Sequence, residues 1–190
     1  TMTVDLLNNI VDFFYKEKKI EIILYRKSEI SNYIEKYIND KIVTIIHPKN
    51  LHDLLLVIEN INFGIFMDSG PLHVAKILNK KGVLITSSVG KEKLLSDFSN
   101  IKSIDNTYKS FYCHSPCGLV NVFNYNNNIG CYDSLGIKKK EILKLKNFQK
   151  LQRGNLKKKY VNLIINPVNC LKYINNKKVI NIIKQNLYNN

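Results

Sequence analysis

The chain has 190 residues, of which 45% are hydrophobic and 23% charged, enough apolar content for one substantial core and too much for a disordered chain. No run approaches the length of apolar sequence needed to span a bilayer, and residues 1–5 have neither the basic region nor the apolar core of a signal peptide, so a cytoplasmic protein is expected. The net charge of +14 raises nucleic acid or an anionic membrane as partners. Against that, the basic residues are overwhelmingly Lys and accompany abundant Asn and Ile, a combination that codon bias in an AT-rich genome produces without any selected ligand.

Residues 4–18 read as an amphipathic helix, with Leu6, Leu7, Ile10, Val11, Phe13 and Phe14 at helical spacing. A short β-branched strand follows at 20–25. Ser28 can cap the next helix, whose apolar face is marked by Ile30, Tyr33, Ile34, Tyr37 and Ile38. A strand at 42–46 leads into the loop His47, Pro48, Lys49 and Asn50. Asn50 suits an N-cap, with Asp53 where a capping-box acid sits, and 51–59 is helical. Phe63, Ile65, Phe66 and Met67 then form an uncharged apolar run, as in a central parallel strand covered on both faces. Asp68, Ser69 and Gly70 supply a turn; Ser69 suits the N-cap and Pro71 the first helical position. Val74, Ala75, Ile77 and Leu78 continue as a helix's apolar side, and residues 82–86 form a further strand.

Beyond Gly90 the periodicity weakens. A last short strand is predicted at 101–104, a long loop rich in Asn, Tyr and Cys at 106–133, a basic helix at 137–148 and a final helix at 177–188. Residues 151–190 are read as a mostly helical C-terminal extension after a domain at 1–150. The alternation of helices and strands implies right-handed crossovers and an α/β, Rossmann-like parallel sheet with helices on both faces.

A tight strand-to-helix turn leaves backbone N–H groups and the positive end of the helix dipole at the carboxyl edge of a sheet, a place to hold phosphate. The same local sequence also occurs as a capped turn with no ligand. Its setting points further. The stretch from Leu51 to Gly90, with Phe-Gly-Ile-Phe-Met-Asp-Ser-Gly-Pro-Leu-His-Val-Ala at its centre, resembles the signature of glycosyltransferase family nine, the lipopolysaccharide heptosyltransferases and their relatives. That signature is a helix, a strand, Asp-[Ser/Thr]-Gly-x-x-His-x-Ala, and a second strand ending in a small-residue loop.

The resemblance implies the C-terminal half of a GT-B enzyme, lacking its first strand and the N-terminal acceptor domain of the same protein. Its partners would be a nucleotide-diphosphate sugar such as ADP-heptose and a glycan or glycolipid acceptor such as lipopolysaccharide core, with peripheral contact at the inner face of the membrane and no nucleic acid. By position, Ser69, Gly70 and His73 would contact the diphosphate, Asp68 would fix the turn or a sugar hydroxyl, Glu29 would face the ribose, Lys49 would lie in the base-recognition loop, and Lys91 would neutralise phosphate. No catalytic residue falls within this half, since the family's base lies in the other domain, and no cofactor is implied. The alternative is a non-catalytic basic binding module for nucleic acid or an anionic surface on a degenerate Rossmann-like domain. The clusters Lys138–Lys140 and Lys157–Lys159 could meet acidic lipid headgroups or a phosphorylated acceptor glycan.

The four cysteines are Cys113, Cys117, Cys131 and Cys170. Zinc held by Cys113, Cys117, Cys131 and His114 is chemically possible, but C-x-x-x-C followed by one distant Cys is an incomplete ligand pattern, so unpaired reduced thiols and no metal are expected.

Overall fold

The computed structural model describes residues 2–24, 28–38, 42–119, 123–125, 128–142, 144, 149–150 and 165–188. The first half alternates helix and strand: α1 (Val4–Phe14), β1 (Glu21–Ile23), α2 (Glu29–Tyr37), β2 (Thr44–Ile46), α3 (Leu51–Glu59), β3 (Gly64–Phe66), α4 (Gly70–Ile77), β4 (Gly82–Ile85), the short α5 (Lys91–Leu94) and β5 (Ile101–Ile104). The caps explain the helix starts. Thr3 accepts from the Leu6 N–H, Ser28 from the Ser31 N–H at 3.1 Å, and Asn50 from the Asp53 N–H at 2.9 Å. The Asp53 carboxylate reaches one residue past the cap, to the Lys49 N–H at 3.1 Å.

The strands form parallel ladders, β1 with β2 and β3–β4–β5 in that order, each β–α–β connection carrying a helix. A single sheet was expected; the ladder is instead in two pieces, with β1 and β3 each paired on one side among the described residues. Helix α1 spans the break. Leu6, Ile10 and Phe14 pack with Met67, Val83, Ile85 and Ile104, whereas Val11 packs with Ile22 of β1 and Ile34 of α2. On the opposite face of β3–β4–β5, Leu54 and Ile58 of α3 and Leu72 and Ala75 of α4 meet Phe66, Leu84 and Ile101. The result is a mixed α/β fold of small parallel sheets flanked by helices.

The second half departs from its expected outline. Within the segment predicted as loop, Phe123–Tyr125 (β6) and Asn128–Gly130 (β7) form an antiparallel hairpin, joined on the other side of β6 by Gln149–Lys150 (β8). Short helices follow at Tyr132–Leu135 (α6) and Lys139–Ile142 (α7); residues 143 and 145–148 of the expected basic helix lie outside the described residues. So do Tyr25 and Lys157–Lys159. After α8 (Asn169–Lys172), the last helix, α9 (Asn176–Tyr188), buries Val179 and Ile183 in the same cluster as Leu6, Val83 and Ile85. It therefore shares with α1 the second helical layer over β4 and β5. Among the described residues no helix is long and apolar enough to cross a membrane.

Some of the positive charge has a structural use. The Lys80 ammonium donates to the carbonyls of Glu59, at the end of α3, and Ile61, while Lys76 donates to the Leu94 carbonyl at 2.7 Å, so long cationic side chains satisfy carbonyls at helix ends.

Strands β3 and β4 approach closely because both begin with glycine. A Cβ on Gly82 would stand 2.3 Å from the Gly64 carbonyl oxygen, a backbone atom that cannot rotate away. The Phe66 ring folds back over Gly64 and fills the space beside it. Gly82→Ala should therefore destabilise the protein by about 2 kcal/mol or more through forced strand separation, whereas Gly70→Ala, whose Cβ meets nothing within 4 Å, should stay within about 0.5 kcal/mol. Urea denaturation compares the two; equal midpoints would show that the β3–β4 contact does not require glycine.

Candidate functional site

The carboxyl ends of β3, β4 and β5 form one edge of the sheet, the edge where open α/β folds bind ligands. After β3, Met67 turns inward and Asp68, Ser69 and Gly70 lie exposed. Helix α4 begins at Gly70, with Ser69 as N-cap and Pro71 in the second helical position, one later than expected. An N-cap hydroxyl ordinarily accepts from the N–H of the second or third helical residue. Here the second has no N–H and that of the third, Leu72, goes to the Ser69 carbonyl at 3.2 Å. Ser69 thus holds the N-cap position expected of it, but its hydroxyl donates to the Met67 carbonyl at 3.0 Å and caps no helix N–H. No hydrogen bond to the Ser69 or Gly70 N–H is present among the described residues. His73 is exposed one turn into α4. Asp68, Ser69, Gly70 and His73 are thus brought together at one helix start, with two open backbone donors between them.

The other candidates fall elsewhere. Lys91, the first residue of α5, forms an ion pair with Asp105 at 3.2 Å, both half-exposed, so its charge at the end of β5 is already shared with a carboxylate. Glu29 is exposed as the first residue of α2. Lys49 is exposed beyond β2, its backbone N–H held by Asp53. No hydrogen bond or ion pair among the described residues joins Glu29 or Lys49 to the Asp68–His73 turn. Beside them, His47 spans from the Leu24 carbonyl (Nδ1, 2.9 Å) to the Glu35 carboxylate (Nε2, 2.7 Å), fixing the segment beyond β2 to that beyond β1.

Above β4 and β5 lies a polar network that periodicity does not reveal. Thr86, 1% exposed, accepts from the Asn106 N–H at 3.0 Å and donates to the Ile104 carbonyl at 3.4 Å. The Asn106 amide donates to the Cys170 carbonyl at 2.6 Å and accepts from the Tyr108 N–H at 3.1 Å. Ser115 donates to the Ser87 carbonyl at 2.8 Å, and the Gly118 N–H to that of Ser88 at 2.7 Å, laying the cysteine loop over the end of β4.

Asp133 is the hub of the outer part. It accepts from the hydroxyls of Ser110 and Tyr108 and from the Asn169 amide, and Tyr108 stacks on Tyr173, centroids 6.1 Å apart. Burial raises the Asp133 pKa, but the three hydrogen bonds outweigh it, those from Ser110 and Asn169 ahead of that from Tyr108, and hold the carboxyl below its ordinary value. Burial first, then the Asp133 hydrogen bond, raises the Tyr108 phenol.

With that geometry in view, comparison with protein-family models, curated proteins and solved structures gives no match for this chain.

A depressed carboxylate stabilises the fold above its unfolded pKa of about 4 and loses that contribution as pH falls through the lower folded value. Asp133→Asn should cost about 1 kcal/mol at neutral pH, since one amide oxygen replaces two carboxylate oxygens in serving three donors on a half-exposed group. Wild-type stability should also converge on that of the variant at the acid end of the window. Denaturation series at neutral and acid pH check this; a constant difference would remove Asp133 as the titrating hub.

Proposed function

We propose that this chain binds the nucleotide-diphosphate part of an activated sugar, as the C-terminal half of a GT-B glycosyltransferase resembling family nine. The observation that carries the reading is the exposed turn after β3: two N–H groups at a helix start with no partner among the described residues, and a histidine one turn on. Gly70 adds to it. Its φ lies outside the left-handed region and a Cβ there would meet nothing within 4 Å, so the fold makes no demand for glycine at this position. Close approach of an oxyanion to the backbone does make that demand.

The diphosphate is the leaving group in such transfer. Charge develops on it as the sugar–phosphate bond breaks, and pre-oriented N–H donors together with the positive end of α4 stabilise it most at that moment. The Ser69 hydroxyl, presently donating to Met67, can rotate to add a third donor. Lys91 reaches phosphate only by leaving Asp105, so its contribution depends on exchanging one anion for another. Deprotonation of the acceptor hydroxyl falls to a base in the other half of the enzyme, and this half alone binds donor without transferring sugar.

The divided sheet fits the same reading. In the strand order 3-2-1-4-5-6 of doubly wound folds, β2–β1 and β3–β4–β5 would occupy the outer positions on each side, and the family's opening strand would lie between β1 and β3, each paired on one side only among the described residues. The acceptor would be a cell-surface glycan or glycolipid, and the working site the cytoplasmic side of the membrane.

Calorimetry with ADP tests the proposal. Gly70→Val should weaken ADP binding by about tenfold or more, equivalent to about 1.4 kcal/mol, while leaving the urea midpoint unchanged. Unchanged affinity in the folded variant would remove the turn from the site. Binding of short RNA that falls steeply with salt, with no ADP binding, would establish the basic-module alternative.

A further inference from the structure

Residues 109–114 close into a tight turn whose tip carries two aromatic rings. Lys109 and His114 bridge across its base in antiparallel fashion. The Ser110 N–H donates to the Cys113 carbonyl at 2.7 Å, and the Ser110 hydroxyl oxygen accepts from the Tyr112 N–H at 3.2 Å and the Cys113 N–H at 3.0 Å. The hydroxyl proton goes to Asp133, which fixes the turn to the network above β4 and β5. Held in this way, Phe111 is 75% and Tyr112 37% exposed, their rings edge to face with centroids 5.2 Å apart. A single exposed aromatic side chain is ordinary. A pair presented outward on a turn whose backbone is already hydrogen-bonded is a surface pre-organised for contact.

The junction of α6 and α7 packs against this tip and surrounds it with positive charge. The Tyr112 ring lies beside Gly136, where a Cβ would stand 3.7 Å from the phenol oxygen. The Lys138 ammonium lies 3.8 Å from the centre of the Phe111 ring, and that of Lys139 lies 3.4 Å from the Cys117 carbonyl. Lys109, Lys139 and Lys140 are exposed. Of the carboxylates on these segments, Glu141 accepts from the Lys138 N–H at 3.1 Å and Asp133 is engaged by its three donors.

We propose that this aromatic-tipped turn docks on an anionic lipid bilayer, with Phe111 and Tyr112 entering the headgroup region and Lys109, Lys138, Lys139 and Lys140 meeting lipid phosphates. Aromatic rings with a polar end settle at headgroup level, and lysines beside them gain from the negative potential of the leaflet. Lys138 can carry its ammonium from the ring to a phosphate while its aliphatic stem stays over Phe111. Single-stranded nucleic acid calls for open ring faces on which bases stack; here Lys138 covers one face of Phe111 and Tyr112 stands edge-on, so a bilayer is the better fit. The inference goes beyond donor binding and does not rest on it. It adds the side from which a lipid-borne acceptor would approach, since Ser115 and Gly118 tie the same loop to the Ser87 and Ser88 carbonyls at the end of β4.

The chain contains no tryptophan, so Phe111→Trp places a single indole fluorophore at the tip. On vesicles of equal parts phosphatidylglycerol and phosphatidylcholine its emission should shift to the blue and be quenched by lipids brominated on their acyl chains, whereas vesicles of phosphatidylcholine alone should leave it unshifted. In co-sedimentation of the full chain with the mixed vesicles, Phe111→Ala and Lys140→Glu should each weaken binding by about fivefold or more. Lys102→Glu, the same change of net charge at an exposed position in β5, should weaken it by less than about twofold. Urea midpoints confirm that each variant is folded; should Phe111→Ala fail to fold, the Phe111→Trp emission and the Lys140→Glu comparison decide. Unshifted emission on the mixed vesicles, equal losses for Lys102→Glu and Lys140→Glu, or a blue shift with short single-stranded RNA but not with vesicles would overturn the proposal. ADP calorimetry is read separately, so failure of either result leaves the other standing.

Discussion

The structure hangs on the complete burial of β4. Every residue from Gly82 to Ile85 is withdrawn from solvent, both backbone edges are paired, to β3 and to β5, and both faces are covered by helices that need its side chains to complete their own burial. Leu84 meets the α3 and α4 layer while Val83 and Ile85 meet α1 and α9. A strand so placed fixes where its neighbours end, and the ends of β3 and β5 set the position of the Asp68–Gly70 turn and of Asp105 and Asn106. The same constraint dictates glycine at the start of β4, because the chain enters the sheet against the Gly64 backbone.

That first half was legible in the sequence for a simple reason: its signals are local. A continuous apolar run marked β3, helical spacing marked α1 and α2, and Asn50 and Ser28 announced their helices by side-chain chemistry three residues deep. Residues 101–104 and 51–59 emerge with the expected bounds. The structure adds partners that residue identity alone does not announce. Ser69 is the N-cap, as expected, but Pro71 two residues on offers no N–H to its hydroxyl, and the Lys91 ammonium pairs with Asp105, a residue fourteen positions away by numbering (105 − 91) that no periodicity connects to it.

The second half was largely illegible because its contacts are long-range and polar. Asn106 meets Cys170 across 64 positions and Asn169 meets Asp133 across 36; neither pair has a spacing rule. In the Asn-rich sequence at 123–130 the alternation of Phe123, Asn124 and Tyr125 is too short to announce a strand, and its partner at 128–130 has none, so the pairing follows backbone register. The candidate anion site shows the opposite balance. Its residues were readable as a group because they are consecutive, and what the structure adds is which of their donors remain open.

On the proposed function, the turn after β3 holds a diphosphate. Amide chemical-shift mapping of the isotope-labelled chain during an ADP titration tests it most directly. The largest shifts should fall on Ser69, Gly70, Leu72 and His73 and should survive added salt. Shifts centred on the lysines at 16–19 or 138–140, fading as salt rises and leaving the Ser69 and Gly70 amides unmoved, would contradict it.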